Sequence, residues 1–163
     1  MSDERLTMTE PTTEEKRFIE DLGLLFEDSG MPRMAGRIFG WLLICDPPHQ
    51  SAGELAECVG GSKGSISTMT RMLMNAELVE RLTLPGERST YYQIKQDAWA
   101  EMLNKKAASL SAWREAAERG LDLLKDAPRE SHRRLREMRN VHAFFEKELP
   151  RLIEAWQKSV KDE

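Results

Sequence analysis

The order of the segments between Gln50 and Ile94 is the feature that most constrains what this chain can fold into. Ser51 and Glu54 are spaced as a capping box, in which each side chain accepts a hydrogen bond from the other's backbone amide, and they predict the start of a short helix. Gly60-Gly61 ends that helix, and Ser62 can cap a second one directly afterwards. The inward side of this second helix consists of Ile66, Met69, Thr70 and Leu73. Two short helices joined by a tight turn are therefore expected.

The pattern changes after the second helix. Residues 78–84 and 89–94 alternate partly between apolar and polar side chains, which is typical of strands, and Pro85-Gly-Glu-Arg88 between them has the composition of a turn. Helix, tight turn, helix and hairpin within about 45 residues is the order of a winged helix-turn-helix. A ββα zinc finger or a ribbon dimer would need another order or metal ligands. We predict a mainly α fold with a small β-hairpin wing.

Two further helices are predicted before this segment. Thr12 and Glu15 form another capping box, and apolar residues at helical spacing follow to about Asp28. Pro32 suits the first turn of the next helix, which Pro47-Pro48 stops. The apolar stripe of that helix is Met34, Ile38, Trp41, Leu42 and Cys45.

Two long helices are predicted after the hairpin. The first runs from Gln96 to about Leu124. The second carries an a/d heptad seam, which consists of Leu135, Met138, His142, Phe145, Leu149, Leu152 and Trp156. Pro150 falls off the seam, so we expect a kink there rather than an end. The seam can pack against the 96–124 helix of its own chain or along a partner helix, and we expect a dimer.

The charge is distributed unevenly around a formal net charge of −4. Residues 1–30 carry a net charge of −6, whereas residues 61–95 carry +2 and residues 128–142 carry +3. Contact with phosphates is local at physiological ionic strength, so a locally basic stretch of an acidic protein can still bind DNA. The charge pattern therefore permits DNA binding without requiring it.

Several other classes of function are not indicated. The longest apolar run, Phe39–Cys45, is far too short to cross a bilayer, and the N-terminus lacks a signal peptide, so we expect a cytoplasmic protein. Cys45 and Cys58 are interpreted as small apolar residues, with no disulfide, metal site or cofactor expected. No nucleophile–base pairing, phosphate loop or paired carboxylates indicate an enzyme.

The candidate DNA-reading residues lie on the outer side of the second short helix. This set combines small polar side chains with two bases: Ser62, Lys63, Gly64, Ser65, Ser67, Thr68 and Arg71. Serine and threonine are poor helix formers, so five of them in one short helix suggest a function. The first-turn amides and serines can bind phosphate, and Arg71 can bond a guanine with both arms of its guanidinium. The alternative is an ordinary polar surface helix.

The tip of the wing adds one candidate. Arg88 can enter a narrow minor groove, where the potential is most negative. The alternative is a solvated arginine in a turn.

Several blocks of the sequence resemble the GbsR-type branch of the MarR superfamily. The most specific are Pro32-Arg-Met-Ala-Gly-Arg37 and Ser62-Lys-Gly-Ser-Ile-Ser-Thr68, and Ser51-Ala-Gly-Glu-Leu-Ala56 and Leu84-Pro-Gly-Glu-Arg88 agree with them. The resemblance covers residues 15–95 closely and the remainder by helix order. One departure is Gly86, where an aspartate often stands in the wing of this superfamily, which leaves the orientation of Arg88 open.

The resemblance implies a homodimer whose N- and C-terminal helices interlock. The expected organisation is residues 1–30 for dimerisation, 31–95 for the winged DNA-binding domain, and 96–163 for dimerisation. The expected dimer contacts are Leu135, Met138, Phe145, Leu149, Leu152 and Trp156. The resemblance also implies a repressor, less often an activator, whose affinity for DNA changes when a small molecule binds between the two parts.

The position of family ligands suggests a candidate effector site. Its candidates are two arginines one helical turn apart and four aromatic residues: Arg33, Arg37, Phe26, Trp41, Trp99 and Trp113. The arginines can meet an anionic effector or the acidic first helix. The aromatic residues can form a cage for a quaternary ammonium group or ordinary core. The competing function for the whole chain is a winged-helix module that binds protein partners and no DNA.

Overall fold

The computed structural model describes residues 10–161 and confirms the mainly helical class. Residues 1–9, the start of the segment 1–30 that is expected to serve dimerisation, lie outside the described residues. The helices are α1 (Thr13–Asp28), α2 (Arg33–Ile44), α3 (Ala52–Val59), α4 (Lys63–Asn75), α5 (Ala98–Leu123) and α6 (Arg133–Lys161), with a 3-10 turn at Arg129–His132. The strands are β1 (His49–Ser51), β2 (Val79–Thr83) and β3 (Thr90–Ile94).

The chain divides into two compact units, the first ending at Ala98 and the second beginning at Trp99. In the first unit both predicted capping boxes are present. The Thr12 hydroxyl accepts the Glu15 amide at 3.2 Å, and the Ser51 hydroxyl accepts the Glu54 amide at 3.3 Å. The reciprocal bonds to the carboxylates are also formed. These caps satisfy amides that a helix start leaves unpaired, which explains why both helices begin where the sequence predicts.

Helices α1 and α2 pack closely because glycines line their contact. A β-carbon added to Gly36 would lie 2.4 Å from the Leu22 carbonyl oxygen and 2.8 Å from the Cα of Gly23. No side chain fits in that space, so the two backbones approach through glycine. This packing places α1 in the same unit as the winged segment.

The core of the first unit is formed by α1, α2, α3, α4 and one side of the sheet. Its fully buried side chains include Ile38, Phe39, Leu55, Ile66, Leu73 and Val79. Thr70 is also buried, and its hydroxyl donates to the Ile66 carbonyl oxygen at 2.8 Å, so burial leaves no polar atom of this side chain unpaired.

The sheet has three antiparallel strands in the order β1-β3-β2. The predicted hairpin is β2 and β3, with Arg81 opposite Tyr92 and Thr83 opposite Thr90. β1 was not predicted from the sequence; it is a three-residue strand that pairs Gln50 with Tyr92. A strand this short shows too few alternations to produce a pattern. It joins the wing to the start of α3.

The second unit contains the two long helices. Gly120 of α5 lies against Leu135 of α6, so that an added β-carbon would come within 3.0 Å of the leucine methyl groups. Arg114 of α5 donates from Nε to Glu146 of α6 at 2.7 Å. Helix α6 continues through Pro150 to Lys161, so this proline does not end it. No helix in the described part of the chain is long and apolar enough to span a membrane.

Candidate nucleic-acid interface

Helix α4 has one side fixed in the core and one side open to solvent. Ile66, Thr70 and Leu73 are at most 1% exposed and hold the helix against the unit. The exposed positions include the sequence-predicted Ser62, Lys63, Gly64, Ser67, Thr68 and Arg71, whereas Ser65 is half-buried. The segment 62–76 contains no acidic residue. The outer side of α4 is therefore rigidly supported, polar and free of negative charge.

The start of α4 is open to an approaching backbone. The Ser62 hydroxyl accepts the Ser65 amide at 3.2 Å and caps the helix. A β-carbon added to Gly64 would meet no atom within 4 Å, so the glycine is not required by the protein's own packing. Amides at a helix N-terminus point outward with the positive end of the helix dipole. This end of α4 can receive a phosphate group.

The end of α4 is fixed by a left-handed residue that was not predicted from the sequence. Glu77 has a left-handed backbone, with φ of 63°, and the Leu78 amide donates to the Leu73 carbonyl oxygen at 3.0 Å. This is a Schellman helix end with glutamate where glycine is usual. The Glu77 carboxylate pairs with the Lys95 ammonium at 2.6 Å, which connects the end of α4 to the end of the sheet. Because glutamate stands where glycine is usual, the sequence contains no signal for this helix end.

The wing places Arg88 at its exposed tip. The turn is closed by the Glu87 amide, which donates to the Leu84 carbonyl oxygen at 3.1 Å. Gly86 has φ of 84°, a conformation that glycine adopts without strain. Arg88 is exposed beside Glu87, so the tip carries both signs of charge.

The Glu87 carboxylate at the tip accepts a hydrogen bond from the body of the sheet. The Tyr91 hydroxyl donates a hydrogen bond to it, and the Tyr91 ring meets the His49 ring edge to face at 5.2 Å. The hydrogen bond to Glu87, with some burial, raises the pKa of Tyr91 to about 12, so the hydroxyl keeps its proton at neutral pH. The sequence did not predict this contact between Tyr91, His49 and Glu87, because it depends on the register of β3.

The predicted dimerisation residues divide into two groups on α6. Leu135 and Met138 are half-buried, and the ring of the seam residue His142 stacks on Trp113 at 5.7 Å. Further along, Phe145 is 47% exposed, Leu152 is 63% exposed and Trp156 is 41% exposed, while Leu149 is half-buried. The first part of the seam is thus used within the second unit, and much of the later part remains uncovered.

The residues predicted to bind an effector lie in different environments. Arg33 and Arg37 bind the acidic first helix, which was one of the two expected outcomes. Arg37 Nε donates to Glu20 Oε2 at 2.7 Å, and Arg33 donates to Glu20 Oε1 from Nε and Nη2. Partial burial by itself raises the pKa of Glu20, but the bonds from Arg33 and Arg37 outweigh it and lower the pKa below its ordinary value.

The aromatic candidates of the first unit are core residues. Phe26 is 9% exposed and lies 5.5 Å from the ring of Phe39. Trp41 is 6% exposed, and its indole N–H donates to the Gln50 side chain at 3.3 Å. Their packing corresponds to the core alternative rather than to an open cage. In the second unit, Trp99 is 48% exposed and Trp113 is 56% exposed.

Neither cysteine is activated. Cys45 is buried and Cys58 is half-buried, and both are free thiols. Burial is the largest cause that raises the pKa of each thiol to about 11, and neighbouring acidic groups add to it. The described residues contain no cluster of histidine, cysteine and acidic side chains that could hold a metal.

Comparison with known proteins gives consistent matches. A family model described as "MmpR5-like MarR family transcriptional regulator" matches residues 97–159. The HTH-type transcriptional regulator MmpR5 of Mycobacterium tuberculosis is 42% identical over 129 residues, covering 79% of this chain and 78% of that protein. The HTH-type transcriptional repressor OpcR of Bacillus subtilis is 28% identical over 116 residues, covering 71% of this chain and 60% of that protein.

A solved structure of a transcriptional regulator is also similar to this chain. A crystal structure of a protein described as a transcriptional regulator superposes with a TM-score of 0.81 at 37% identity, covering 89% of this chain and 99% of that one.

Proposed function

Because this chain belongs to the MarR family of winged-helix transcriptional regulators, we propose that it reads an operator with α4 in the major groove and the wing in the adjacent minor groove. The protein is a DNA-binding transcriptional regulator. The observation that carries the proposed docking is the outer side of α4, which is exposed, polar and free of acidic residues on a helix fixed in the core. A helix of this kind fits the width of the major groove.

Each residue of the outer side has a proposed role. Ser62, Lys63 and the first-turn amides of α4, next to Gly64, contact phosphates and set the register. Ser65, Ser67, Thr68 and Arg71 face base edges, and Arg71 is the candidate for a two-pronged contact with guanine. Arg88 enters the minor groove from the tip of the wing.

The proposed assembly is a homodimer with one winged unit on each operator half-site. The support is the uncovered part of the α6 seam, where Phe145, Leu152 and Trp156 present apolar surface that a partner helix would bury. Residues 1–30 and 96–163 are proposed to contribute to this contact. A single winged unit with few basic residues binds weakly, so pairing two units supplies affinity.

Repression and effector control are the finer parts of the proposal. The relative OpcR is named a repressor, and the sequence blocks around Arg37 and Ser62 favour the GbsR-type branch. An anionic effector that reached Arg33 or Arg37 would have to displace Glu20. An aromatic contact with an effector would rely on the exposed rings of Trp99 and Trp113, since Phe26 and Trp41 are packed.

The test is the salt dependence of DNA binding. The protein is used to select duplexes from a random pool, and the affinity for the best duplex is measured by fluorescence anisotropy over a range of KCl concentrations. A regulator that neutralises several phosphates shows a steep negative slope of log K against log salt. If the dimeric protein selects no sequence even at low salt, the reading face is refuted and the protein-binding alternative is favoured.

Replacing Arg71 tests the reading of one base pair. We expect Arg71→Ala to lose about 1–3 kcal/mol of binding free energy and to relax the preference at one position of the site. Arg17→Ala, which removes an exposed arginine from α1, is the charge-matched control and should leave the preference unchanged. Equal weakening on all sequences would make Arg71 a phosphate contact.

A further inference from the structure

The outer face of the sheet contains an ordered contact that the reading of bases does not explain. Tyr91 of β3 lies opposite Leu82 of β2 and Ser51 of β1. Its ring packs against His49 at 5.2 Å, and its hydroxyl reaches Glu87 in the turn of the wing. The backbone of Tyr91 lies between the two neighbouring strands, and its side chain connects His49 of β1 to Glu87 at the tip of the hairpin.

The negative charge of Glu87 is unfavourable in a wing that approaches DNA phosphates. Its carboxylate immediately precedes the only arginine of the tip, and it is exposed. Near phosphates a free carboxylate would be repelled, or it would turn to pair with Arg88 and neutralise it. A charged group at the tip is useful in a minor groove only if the neighbouring acid is kept out of the way.

We infer that Tyr91 is the positioning residue of the wing: its hydroxyl holds the Glu87 carboxylate back along the sheet, so that Arg88 is the charged side chain left free to enter the groove. Tyr91 itself touches no base or phosphate in this arrangement. The His49 ring supports the position of the Tyr91 ring, because an edge-to-face pair fixes its orientation. The inference rests on the proposed role of Arg88.

The backbone of the turn explains why a separate support is needed. The turn is closed by one backbone bond from Glu87 to Leu84, and Gly86 gives the chain freedom at the tip. β1 pairs only with residues 91–93 of β3, so the wing is two-stranded from Thr90 to its tip, and a two-stranded ribbon is only marginally stable without further packing. A hydrogen bond from the body of the sheet to residue 87 restrains the end that carries Arg88.

The test removes one oxygen atom and no charge. Tyr91→Phe keeps the ring against His49 and loses the bond to Glu87. We expect the affinity for a duplex selected by the wild-type protein to fall about 3- to 10-fold, the equivalent of one hydrogen bond. The slope of log K against log salt should also become shallower by about 1, because Arg88 disengages although no charge was removed. The thermal midpoint of the free protein should change little.

The same substitution in an Arg88→Ala background separates positioning from general weakening. If Tyr91 acts through Arg88, Tyr91→Phe has no further effect on affinity in that background. Glu87→Gln should weaken the hydrogen bond from the Tyr91 hydroxyl without abolishing it. The matched control is Glu80→Gln. Glu80 lies on the same face of the sheet but away from the turn, where it accepts a hydrogen bond from the Gln93 side chain at 2.7 Å.

Three results would overturn the inference. Equal loss in both backgrounds means that Tyr91 acts independently of Arg88, and no loss in either means that Glu87 needs no support. If Arg88→Ala leaves affinity and salt slope unchanged, the wing has no contact to position, and the proposed role of Arg88 fails as well. Intact binding through α4 in that last case would leave the major-groove part of the proposed function standing.

Discussion

Thr68 illustrates how a helix limits what a side chain can offer to DNA. Its hydroxyl donates to the carbonyl oxygen of Gly64 at 3.0 Å, one turn earlier in α4. The hydroxyl proton is therefore in use, and the exposed side chain presents oxygen lone pairs and a methyl group. In the major groove a methyl group matches thymine, whose C5 methyl is the apolar feature of that surface.

We predict that the Thr68 methyl group contacts a thymine. Thr68→Ser should weaken binding to the selected duplex about fourfold, the equivalent of one buried methyl-sized group. Replacing the contacted thymine by deoxyuridine should have the same effect, and the two changes together should cost little more than either alone. Fluorescence anisotropy on the four protein–duplex combinations measures this coupling.

The matched variant is Thr68→Val, which keeps the methyl group and loses the hydroxyl. Binding close to wild type is expected, with the preference for thymine retained. If Thr68→Val binds more weakly than Thr68→Ser, the hydroxyl oxygen accepts a bond from a base amino group and the methyl interpretation is wrong.

Sequence reasoning found single residues where a local rule applies. The outer side of α4 followed from helical spacing, and the exposure of Lys63, Thr68 and Arg71 agrees with it. It could not find Tyr91, because the contact with Glu87 and His49 depends on a turn and on a short strand that showed no pattern. It also could not assign Glu77 to a left-handed helix end, since the usual sequence signal there is glycine.

At the level of elements, the contact between α1 and α2 combines close backbone packing with one ionic cluster. Gly36 brings the helices together, and Glu20 of α1 binds both Arg33 and Arg37 of α2. The sequence predicted both helices and one capping box, but it left open whether these arginines met α1 or a ligand. Only the packing of the two helices decides which of the many acids on α1 lies within reach.

The ionic cluster gives the fold a pH dependence with a defined sign. The pKa of Glu20 is lowered below its ordinary value of 4.5 in the folded protein. A carboxyl of this kind stabilises the fold at pH values above its unfolded pKa, and the contribution is lost as the pH falls through the folded pKa. Because the pair is partly exposed, its effect is modest.

We predict that Glu20→Gln lowers the thermal midpoint by about 2–4 °C at neutral pH, the equivalent of up to about 1 kcal/mol in a chain of this length. The difference from wild type should disappear as the pH is lowered well below 4.5, where wild-type Glu20 is protonated too. Asp21→Asn, one residue along on the exposed side of α1, is the control and should change the midpoint little. A difference that persists in acid would mean that Glu20 acts by packing rather than by charge.

For the molecule as a whole, the heptad seam of α6 was predicted from spacing alone, but spacing could not say which part of it meets α5. In the structure Leu135 lies against Gly120 and His142 stacks on Trp113, so the first part is satisfied within the chain. Phe145, Leu152 and Trp156 remain 41–63% exposed. Large apolar side chains at a regular spacing on one side of a helix are the surface that a second copy would cover.

Phe145 lies at the start of the uncovered part, and we predict that Phe145→Glu dissociates the dimer. Burying a carboxylate without a partner is unfavourable, whereas in the monomer the position is already 47% exposed, so each chain should stay folded. Light scattering should then give the mass of one chain, 18.7 kDa, with the helical circular dichroism unchanged. Lys147→Glu places the same carboxylate on the opposite side of α6 and should leave the dimer intact.

The same substitution connects assembly to DNA binding. Two winged units on one duplex gain an effective concentration that separate units lack, so the dissociated variant should bind the selected duplex about 10²- to 10⁴-fold more weakly although every reading residue is present. Selected sites should accordingly contain two half-sites about 10 base pairs apart, one helical turn of DNA. If Phe145→Glu keeps the mass of a dimer, the seam packs within the chain and the partner surface lies elsewhere. If the variant becomes monomeric and still binds at full affinity, each winged unit reads DNA alone, and the seam serves a purpose other than pairing two half-sites.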